Sequence, residues 1–328
     1  MGTRSGSVRQ KRGASCFLLL FCCAFGALAF DLQGHRGARG DRPENTLAAF
    51  EHALEIGVNT LELDVAITAD GVPVISHDPY LNPALTRDAQ GQWLKARGPL
   101  IRSLTLAQLQ VYDVGRADPA SEVARQFPLQ QARDGQRIPT LASLFQSVGA
   151  TGTQQVRFNI ETKIFPNQPA DTATPDNFVD AVLAVVRAAG LTSRVTIQSF
   201  DWRTLRRLQQ LEPRIATVYL TVELPQSNNV QDPAWTAGMF SKDYASTPHM
   251  VKASGGAVWS PHFATIDANK VRAAQQLGLK VIPWTVNEPA DMERLIGWGI
   301  DGLISDYPAR ARDVMRRFGL PLPASSQR

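Results

Sequence analysis

The sequence predicts an α/β fold, a (β/α)8 barrel of the TIM type that is somewhat irregular and carries an insertion after its third strand. Short β-type runs alternate with helical patterns from residue 31 to the C-terminal region, which is typical of parallel strands covered by helices. So many repeats in one chain favour a closed barrel over an open sheet. Glycines also stand where the predicted helices should end, at Gly57, Gly149, Gly190, Gly278 and Gly299.

The predicted elements follow one another along the chain. Runs of apolar and β-branched residues predict strands at residues 31–36, 60–68, 72–77, 156–163, 194–200, 214–220, 257–260, 280–286 and 302–305. Apolar residues spaced at i, i+3 and i+4 predict helices at residues 46–56, 139–148, 176–189, 202–211, 267–277, 289–298 and 309–318. The strand candidates outnumber the eight places in a barrel, so we expect one of them to lie outside it.

Two segments depart from the repeat. Residues 69–71 are too few for a helix, so the strands on either side are predicted to form a hairpin that makes the barrel imperfect there. Residues 78–138 are rich in Pro, Gly, Arg, Asp and Gln and have no clear period, which predicts an inserted cap on one barrel face. The barrel domain is predicted to span residues 30–320, and residues 321–328 are expected to be a flexible tail.

The N-terminus has the pattern of a signal peptide. A basic segment precedes an apolar run at residues 16–29, which is short for a membrane span and ends in Ala27-Leu28-Ala29. We expect residues 1–29 to be removed and the protein to be exported, to a periplasm or outside the cell; an uncleaved anchor is the alternative. The mature chain would then have no cysteine, since all three lie in this segment: Cys16, Cys22 and Cys23.

Charge excludes one class of partner. The chain has 34 basic and 30 acidic residues, and the excess comes from Arg4, Arg9, Lys11 and Arg12 in the basic segment. Without that segment the chain is neutral, so a nucleic-acid or membrane-surface partner has no electrostatic support. No run after residue 30 is long and apolar enough to span a bilayer, so stable membrane insertion after signal cleavage is not expected. The sequence also lacks the G-x-S-x-G, Walker, G-x-G-x-x-G and H-E-x-x-H motifs, so serine-hydrolase, nucleotidase and zinc-protease functions have no support.

Acidic residues recur with strand periodicity at two places. Glu62 and Asp64 lie two residues apart in a predicted strand, as do Glu161 and Lys163 in another, so each pair shares one face. The intervening apolar residues would face the outer helices, which turns the charged faces into the barrel. Three inward carboxylates would repel one another, and a hard divalent cation bound by them would remove that repulsion. The alternative is an interior neutralised by Lys163 and Arg36.

Two histidines stand at the ends of predicted strands. His35 ends the first and His77 the third, and barrel strands present their C-terminal ends to the active site. Near an acid cluster, such a pair indicates acid–base catalysis. Arg36 and Lys163 would supply positive charge for phosphate oxygens. His52, in the middle of a predicted helix, is given no role.

These residues belong to a recognisable pattern. Residues 35–78, with the segments HRGARG, RPENT, LELDV and ISHD, resemble the signature region of the glycerophosphodiester phosphodiesterases of the exported bacterial type. The resemblance continues at NIETK, IQSF, PWTVN and DGLISDYP and covers nearly the whole chain after the signal segment. It implies metal-dependent hydrolysis of glycerophosphodiesters to sn-glycerol 3-phosphate and an alcohol.

The resemblance also implies roles for single residues. His35 and His77 match the acid–base pair. Three acidic residues match the family's ligands for Ca²⁺ or Mg²⁺: Glu62, Asp64 and Glu161. Five residues match the family's substrate or phosphate contacts: Arg36, Lys163, Glu44, Asn45 and Trp284. Among them, Trp284 matches an aromatic residue that lines the glycerol pocket.

Two other functions remain as alternatives. One is a lyase of the same barrel superfamily, of the phospholipase C or D type, and the other is an exported protein that binds glycerophosphodiesters without cleaving them. The neutral mature chain argues against docking on lipid, and a binding role needs no acid–base pair. No residue marks a partner for a particular head group, so broad tolerance of the alcohol is expected. The sequence leaves open which histidine is the acid, whether water or the substrate 2-hydroxyl attacks, and the oligomeric state.

Overall fold

A computed structural model describes residues 1–3, 6, 30–152 and 155–326. The predicted signal segment, with its cysteines and Ala27-Leu28-Ala29, lies outside the described residues except for residues 1–3 and 6. Residues 321–326 form no helix or strand, and they contact the barrel domain: Ser326 N–H donates to the Leu54 carbonyl, and Arg312 donates to that of Pro323.

Eleven strands form in the described part of the chain: β1 Asp31–Gly34, β2 Thr60–Ile67, β3 Pro73–Ile75, β4 Arg157–Thr162, β5 Val195–Ser199, β6 Ala216–Thr221, β7 Glu223–Leu224, β8 Ser227–Asn228, β9 Val258–Pro261, β10 Lys280–Val281 and β11 Gly302–Ser305. Eight of them pair in parallel in the order β10-β9-β6-β5-β4-β2-β1-β11. Backbone bonds from Asp301 N–H to the Val281 carbonyl and from Ile304 N–H to the Pro283 carbonyl join the two ends. The predicted irregular barrel is confirmed.

The helices are α1 Leu47–Ile56, α2 Leu106–Leu109, α3 Glu122–Gln126, α4 Leu141–Ala150, α5 Pro175–Ala188, α6 Trp202–Leu211, α7 Thr247–Ala253, α8 Ala268–Gln276, α9 Pro289–Gly297 and α10 Pro308–Arg317. The seven predicted helices are present. The sequence did not predict α2, α3 and α7, because helices this short hold too few turns for a visible period. Within the described ranges no helix combines the length and apolarity that a membrane crossing requires.

One predicted strand is much shorter in the structure. Residues 280–286 were expected to form a strand, but only Lys280–Val281 does. Pro283 has no backbone N–H and interrupts the ladder. The chain beyond it is held by separate bonds, such as Trp284 N–H to the Pro261 carbonyl.

The predicted hairpin forms and stands outside the barrel. β3 is antiparallel to β2, with Val65 opposite Ile75 and Ile67 opposite Pro73. The chain therefore runs along β2 to the rim of the barrel and turns back along β3. Residues 78–138 follow as the insertion, which holds α2 and α3. It packs on the hairpin through a small core, in which Ala66 and Val74 of the hairpin meet Leu81, Ile101, Leu109 and Ile138.

The barrel interior divides into two halves of opposite character. Gln33, Asn159 and Gln198 are buried beneath the mouth on β1, β4 and β5, where Asn159 Nδ2 donates to Gln33 Oε1 over 2.9 Å and to Gln198 Oε1 over 2.7 Å. The other half is apolar, formed by Val218, Val258, Ile282 and Ile304. Barrel interiors are more often filled by Val, Ile and Leu throughout. The amides form a hydrogen-bonded floor under the carboxylates, which the sequence analysis did not predict.

We expect Asn159→Ala to lower the free energy of unfolding by about 2–4 kcal/mol. The substitution leaves the Oε1 atoms of Gln33 and Gln198 without their donor, and also frees Thr196, whose hydroxyl donates to Asn159 Oδ1. Each unsatisfied buried polar group costs roughly 1–3 kcal/mol. Urea unfolding measures the change, and Asn269→Ala at an exposed position of α8 is the matched control. Equal stability of both variants would contradict the account.

Candidate active site

Three carboxylates meet inside the barrel mouth. β2 contributes Glu62 and Asp64, and β4 contributes Glu161, which is the register partner of Asp64. All three are buried, and each offers an oxygen within 4.8 Å of the others. The predicted alternation holds, because Leu63 between the two β2 acids packs outward into the core against the helices.

Both oxygens of Glu62 accept hydrogen bonds. Gln198 Nε2 donates to Oε1 over 2.7 Å, and the backbone N–H of Arg36 donates to Oε2 over 2.8 Å. Burial raises the pKa of Glu62 well above its usual value, and the charges of Asp64 and Glu161 raise it further. The carboxylate is oriented by its partners, but it needs nearby positive charge to remain ionised.

Glu161 and Lys163 form an ion pair on β4 and just beyond it. Lys163 Nζ donates to Glu161 Oε1 over 2.8 Å and lies 3.8 Å from Asp64 Oδ1. Burial raises the pKa of Glu161 to about 7 even though Lys163 opposes the shift. Burial lowers the pKa of Lys163, but the two carboxylates raise it more, so the amine stays protonated.

The loop after β1 brings Arg36 and Asn45 to Asp64. Both residues adopt left-handed backbone conformations, with φ of 49° and 57°, and Asn45 N–H donates to the Arg36 carbonyl over 3.1 Å. Asn45 Nδ2 donates to Asp64 Oδ2 over 2.9 Å, and Arg36 Nε lies 3.0 Å from the same atom. Arg36 Nη1 donates to Glu44 Oε1 over 2.6 Å. Burial raises the pKa of Asp64, but Arg36 and other cations lower it more, so it stays ionised.

The site has an excess of negative charge. Its carboxylates outnumber its cations: Glu44, Glu62, Asp64 and Glu161 surround Arg36, Arg39 and Lys163, and Asp306 and Asp78 lie beside the two histidines. The predicted pairing of Arg36 and Lys163 with carboxylates therefore occurs without neutralising the cluster. A donor set made only of carboxylate oxygens fits a hard divalent cation such as Ca²⁺ or Mg²⁺, rather than zinc, which favours nitrogen and sulfur.

His35 is held by a partner that the sequence analysis did not identify. Its Nδ1 lies 2.6 Å from Asp306 Oδ1, while its Nε2 lies 3.9 Å from Glu62 Oε2. Asn287 Nδ2 donates to the other oxygen of Asp306 over 2.7 Å. Burial raises the pKa of Asp306, but His35 lowers it more, to about 2. Two signals were available: Asp306 directly follows the last strand, and it lies in the segment DGLISDYP that carries part of the family resemblance.

His77 reaches the same mouth by a different route. It follows β3, which runs against the barrel strands, so the argument from parallel strand ends does not place it. Ser76 N–H donates to the Asp64 carbonyl over 3.0 Å, and this brings His77 back to the depth of the carboxylates. Its Nδ1 lies 3.2 Å from Asp78 Oδ1. Burial, together with the positive charges of the site, lowers the pKa of His77 to about 4.

One cavity of about 220 Å³, the inner cavity, joins these groups. Its lining includes all but three of the predicted site residues, together with Arg39, Gln198, Phe200, Leu220, Thr285 and Ile304. The three outside the lining, Glu44, Asn45 and Asp64, contact Arg36 from behind. Trp284 stands on the wall formed by the apolar half of the interior and packs at right angles to Phe200. His52 lies on α1 near Glu55 and Asp41, away from the cavity.

We expect Asp306→Asn to lower kcat by about 10- to 100-fold, the scale found when a residue that orients a catalytic or metal-bound group is replaced. An amide at this position can donate to Nδ1, which would favour the wrong tautomer of His35. KM for substrate should change little, because Asp306 reaches the cavity only through His35. Steady-state kinetics across pH measures the effect. An unchanged pH profile and kcat would remove the positioning role.

Comparisons with known proteins show which family the chain resembles. A sequence profile of the Glycerophosphoryl diester phosphodiesterase family matches residues 35–310. The glycerophosphodiester phosphodiesterase of Bacillus subtilis is 30% identical over 290 residues, which cover 87% of this chain and 86% of that protein. The one from Caldanaerobacter subterraneus is 27% identical over 285 residues, covering 87% and 97%.

Solved structures share the fold. A candidate glycerophosphoryl diester phosphodiesterase from Silicibacter pomeroyi is 37% identical, with a TM-score of 0.81, covering 90% of this chain and 95% of that one. An Oleispira antarctica phosphodiesterase, solved in complex with the product sn-glycerol-3-phosphate, has a TM-score of 0.64 at 24% identity, covering 87% and 96%.

Proposed function

This chain belongs to the glycerophosphoryl diester phosphodiesterase family, and from that we propose that it hydrolyses glycerophosphodiesters to sn-glycerol 3-phosphate and an alcohol. The observation that carries the proposal is the grouping of two histidines, three carboxylates and two cations at one barrel mouth. The Oleispira phosphodiesterase of the same fold binds sn-glycerol-3-phosphate, which supports the choice of product.

The carboxylates would hold a divalent cation at the phosphate. Glu62, Asp64 and Glu161 are its ligands in this proposal, and bound Ca²⁺ or Mg²⁺ would polarise a phosphoryl oxygen. Arg36 and Lys163 donate to the remaining phosphate oxygens, where negative charge grows as the attacking oxygen approaches. Their own anchors, Glu44 and Glu161, keep both cations in place before substrate binds.

The histidines would move the protons. One accepts the proton of the attacking hydroxyl, from water or from the substrate 2-hydroxyl, and the other donates a proton to the leaving alkoxide. Each ring has an aspartate at Nδ1, Asp306 for His35 and Asp78 for His77. This arrangement leaves Nε2 of each ring available for the substrate.

An assay for glycerol 3-phosphate release tests the proposal. The purified protein is incubated with glycerophosphocholine, -ethanolamine, -glycerol and -inositol, each with divalent cation. We expect glycerol 3-phosphate and the free alcohol as products. Release of glycerol and a phosphorylated alcohol would mean cleavage on the other side of phosphorus and would overturn the proposal, as would the absence of any cleavage.

We also propose export with cleavage after Ala29. The support comes from the sequence alone: a basic segment, an apolar run of signal-peptide length and the small residues Ala27 and Ala29. N-terminal sequencing of the protein secreted by its own cell, or of the periplasmic fraction, should begin at Phe30. A mature chain that retains its cysteines would contradict this prediction.

A further inference from the structure

A second cavity of about 350 Å³ opens directly from the inner cavity. The two cavities share His77, Glu161, Lys163, Phe200 and Trp284 as lining residues. We call the second cavity the aromatic annex, and it has seven further lining residues: Ile164, Phe165, Val222, Ser227, Asn228, Asn229 and Trp235. The candidate site is therefore larger than the space around the carboxylates.

Segments outside the insertion build the aromatic annex. Phe165 lies in the loop between β4 and α5, and Trp235 lies between β8 and α7. Phe165 and Trp235 stand at 90° with ring centroids 6.2 Å apart, and Phe200 and Trp284 stand at 86° with centroids 5.3 Å apart. Because each pair is perpendicular, the walls present aromatic surfaces in more than one direction.

The aromatic annex offers few polar groups of its own. Asn229 is already occupied, since its Nδ2 donates to the carbonyls of Phe200 and Leu220 and its Oδ1 accepts from Val222 N–H. Ser227 and Asn228 lie on the β7–β8 hairpin. The ionisable groups in the lining, His77, Glu161 and Lys163, are all at the border with the inner cavity.

We propose that the aromatic annex binds the alcohol part of the substrate and favours a quaternary ammonium alcohol such as choline. This inference rests on the proposed function and names the substrate class of that same site. It differs from the expectation of broad head-group tolerance, which rested on the sequence marking no partner for a particular head group.

The chemistry of the lining favours this occupant. A quaternary ammonium group is attracted to aromatic rings and has no N–H or O–H that must be satisfied. The aromatic rings offer the hydroxyls of a glycerol or inositol head group no hydrogen-bond partner, so beyond the border residues only Ser227 and Asn228 are left to pair them. Hydroxyls that stay unpaired lower affinity. Lys163 is paired with Glu161 at 2.8 Å, which limits the repulsion between its ammonium group and a bound cation.

A glycerophosphodiester has two arms on its phosphorus atom, the glycerol and the alcohol, and the positions of the two histidines fit this arrangement. His77 lines both cavities, whereas His35 lines only the inner cavity. The alcohol arm therefore extends past His77 and the glycerol arm remains with His35. On hydrolysis the bond from phosphorus to the alcohol oxygen breaks, a bond from phosphorus to the attacking oxygen forms, and the released alkoxide takes one proton.

A panel of substrates that differ only in the alcohol tests the inference. We expect kcat/KM for glycerophosphocholine to exceed that for glycerophosphoglycerol and glycerophosphoinositol by about tenfold or more, the effect of a desolvated cation–π contact. The glycerophosphodiester of 3,3-dimethylbutanol, the neutral isostere of choline, should fall between them. Equal kcat/KM for choline and this isostere would overturn the cationic part, and equal values across the panel would overturn the inference while leaving the proposed function intact.

Two substitutions locate the selectivity in the aromatic annex. Trp235→Leu and Phe165→Leu keep apolar volume but remove the rings, and each should reduce the choline-to-glycerol ratio of kcat/KM to about one-third or less of its original value. Trp93→Leu, at a half-buried tryptophan outside both cavity linings, is the control and should keep the ratio. If either variant lost kcat/KM equally for every substrate, the aromatic annex would be assigned to the glycerol arm, and the inference would be overturned. Failure of one variant to fold leaves the other variant and the substrate panel as tests.

Discussion

Replacing either cavity histidine with alanine is expected to lower kcat by at least about 10²-fold, the usual contribution of a general acid or base. His35 and His77 both line the inner cavity, and each is oriented by an aspartate at Nδ1. The substituted methyl group can neither accept nor donate a proton, so the loss falls on the chemical step. Single-turnover measurements with saturating substrate separate that step from binding.

His52→Ala is the matched control for these two variants. His52 lies on α1, contacts Asp41 and Glu55, and lines neither cavity. We expect its kcat to match that of the unmodified protein. Near-normal turnover of the His35 or His77 variant would remove that residue from the acid–base pair, and circular dichroism of all three variants checks that the fold is retained.

Removing divalent cations is expected to abolish activity, and adding Ca²⁺ or Mg²⁺ should restore it. Without a cation, burial and mutual repulsion raise the pKa of Glu62 and Glu161, so the site cannot hold all of its carboxylates ionised without positive charge. The phosphodiester would also lose the charge that stabilises its transition state. The experiment uses protein dialysed against chelator, followed by titration with each cation.

Glu161→Gln provides a test that does not depend on activity. The amide keeps the shape of the side chain and can still accept from Lys163, but one anionic ligand is lost. Cation affinity measured by calorimetry should fall by more than the roughly 10- to 100-fold typical of changes around a metal ligand. Glu122→Gln on exposed α3 is the control. Full activity in a thoroughly demetallated sample, or unchanged cation affinity of Glu161→Gln, would contradict the proposed metal site.

Local periodicity accounts for what could be predicted. The two-residue spacing of Glu62 and Asp64, and of Glu161 and Lys163, determines which face of each strand is charged, and the structure turns those faces into the barrel. The short link at residues 69–71 likewise determines a hairpin, since no helix fits there. These features depend on neighbours in the chain, so a pattern along the chain is enough to reveal them.

A local pattern does not reveal contacts between residues that are far apart in the sequence. Asp306 is 271 positions away from His35, yet it is the group that holds the imidazole. Nothing in the local sequence marks an aspartate after a strand as a partner for one histidine rather than as a helix cap or a surface residue. Only the closing of the barrel, which places β11 beside β1, brings the two together.

The aromatic annex also depends on contacts between residues that are far apart in the sequence. Phe165 and Trp235 lie in separate loops, and nothing in the sequence around either residue indicates that their rings line one cavity. The sequence by itself determined the barrel, the inward carboxylates and the candidate histidines, because strand alternation and motif order are local properties. The tertiary structure alone decided which aspartate orients His35, which amides support Glu62 and where the aromatic annex opens, because these depend on how distant strands and loops pack against one another.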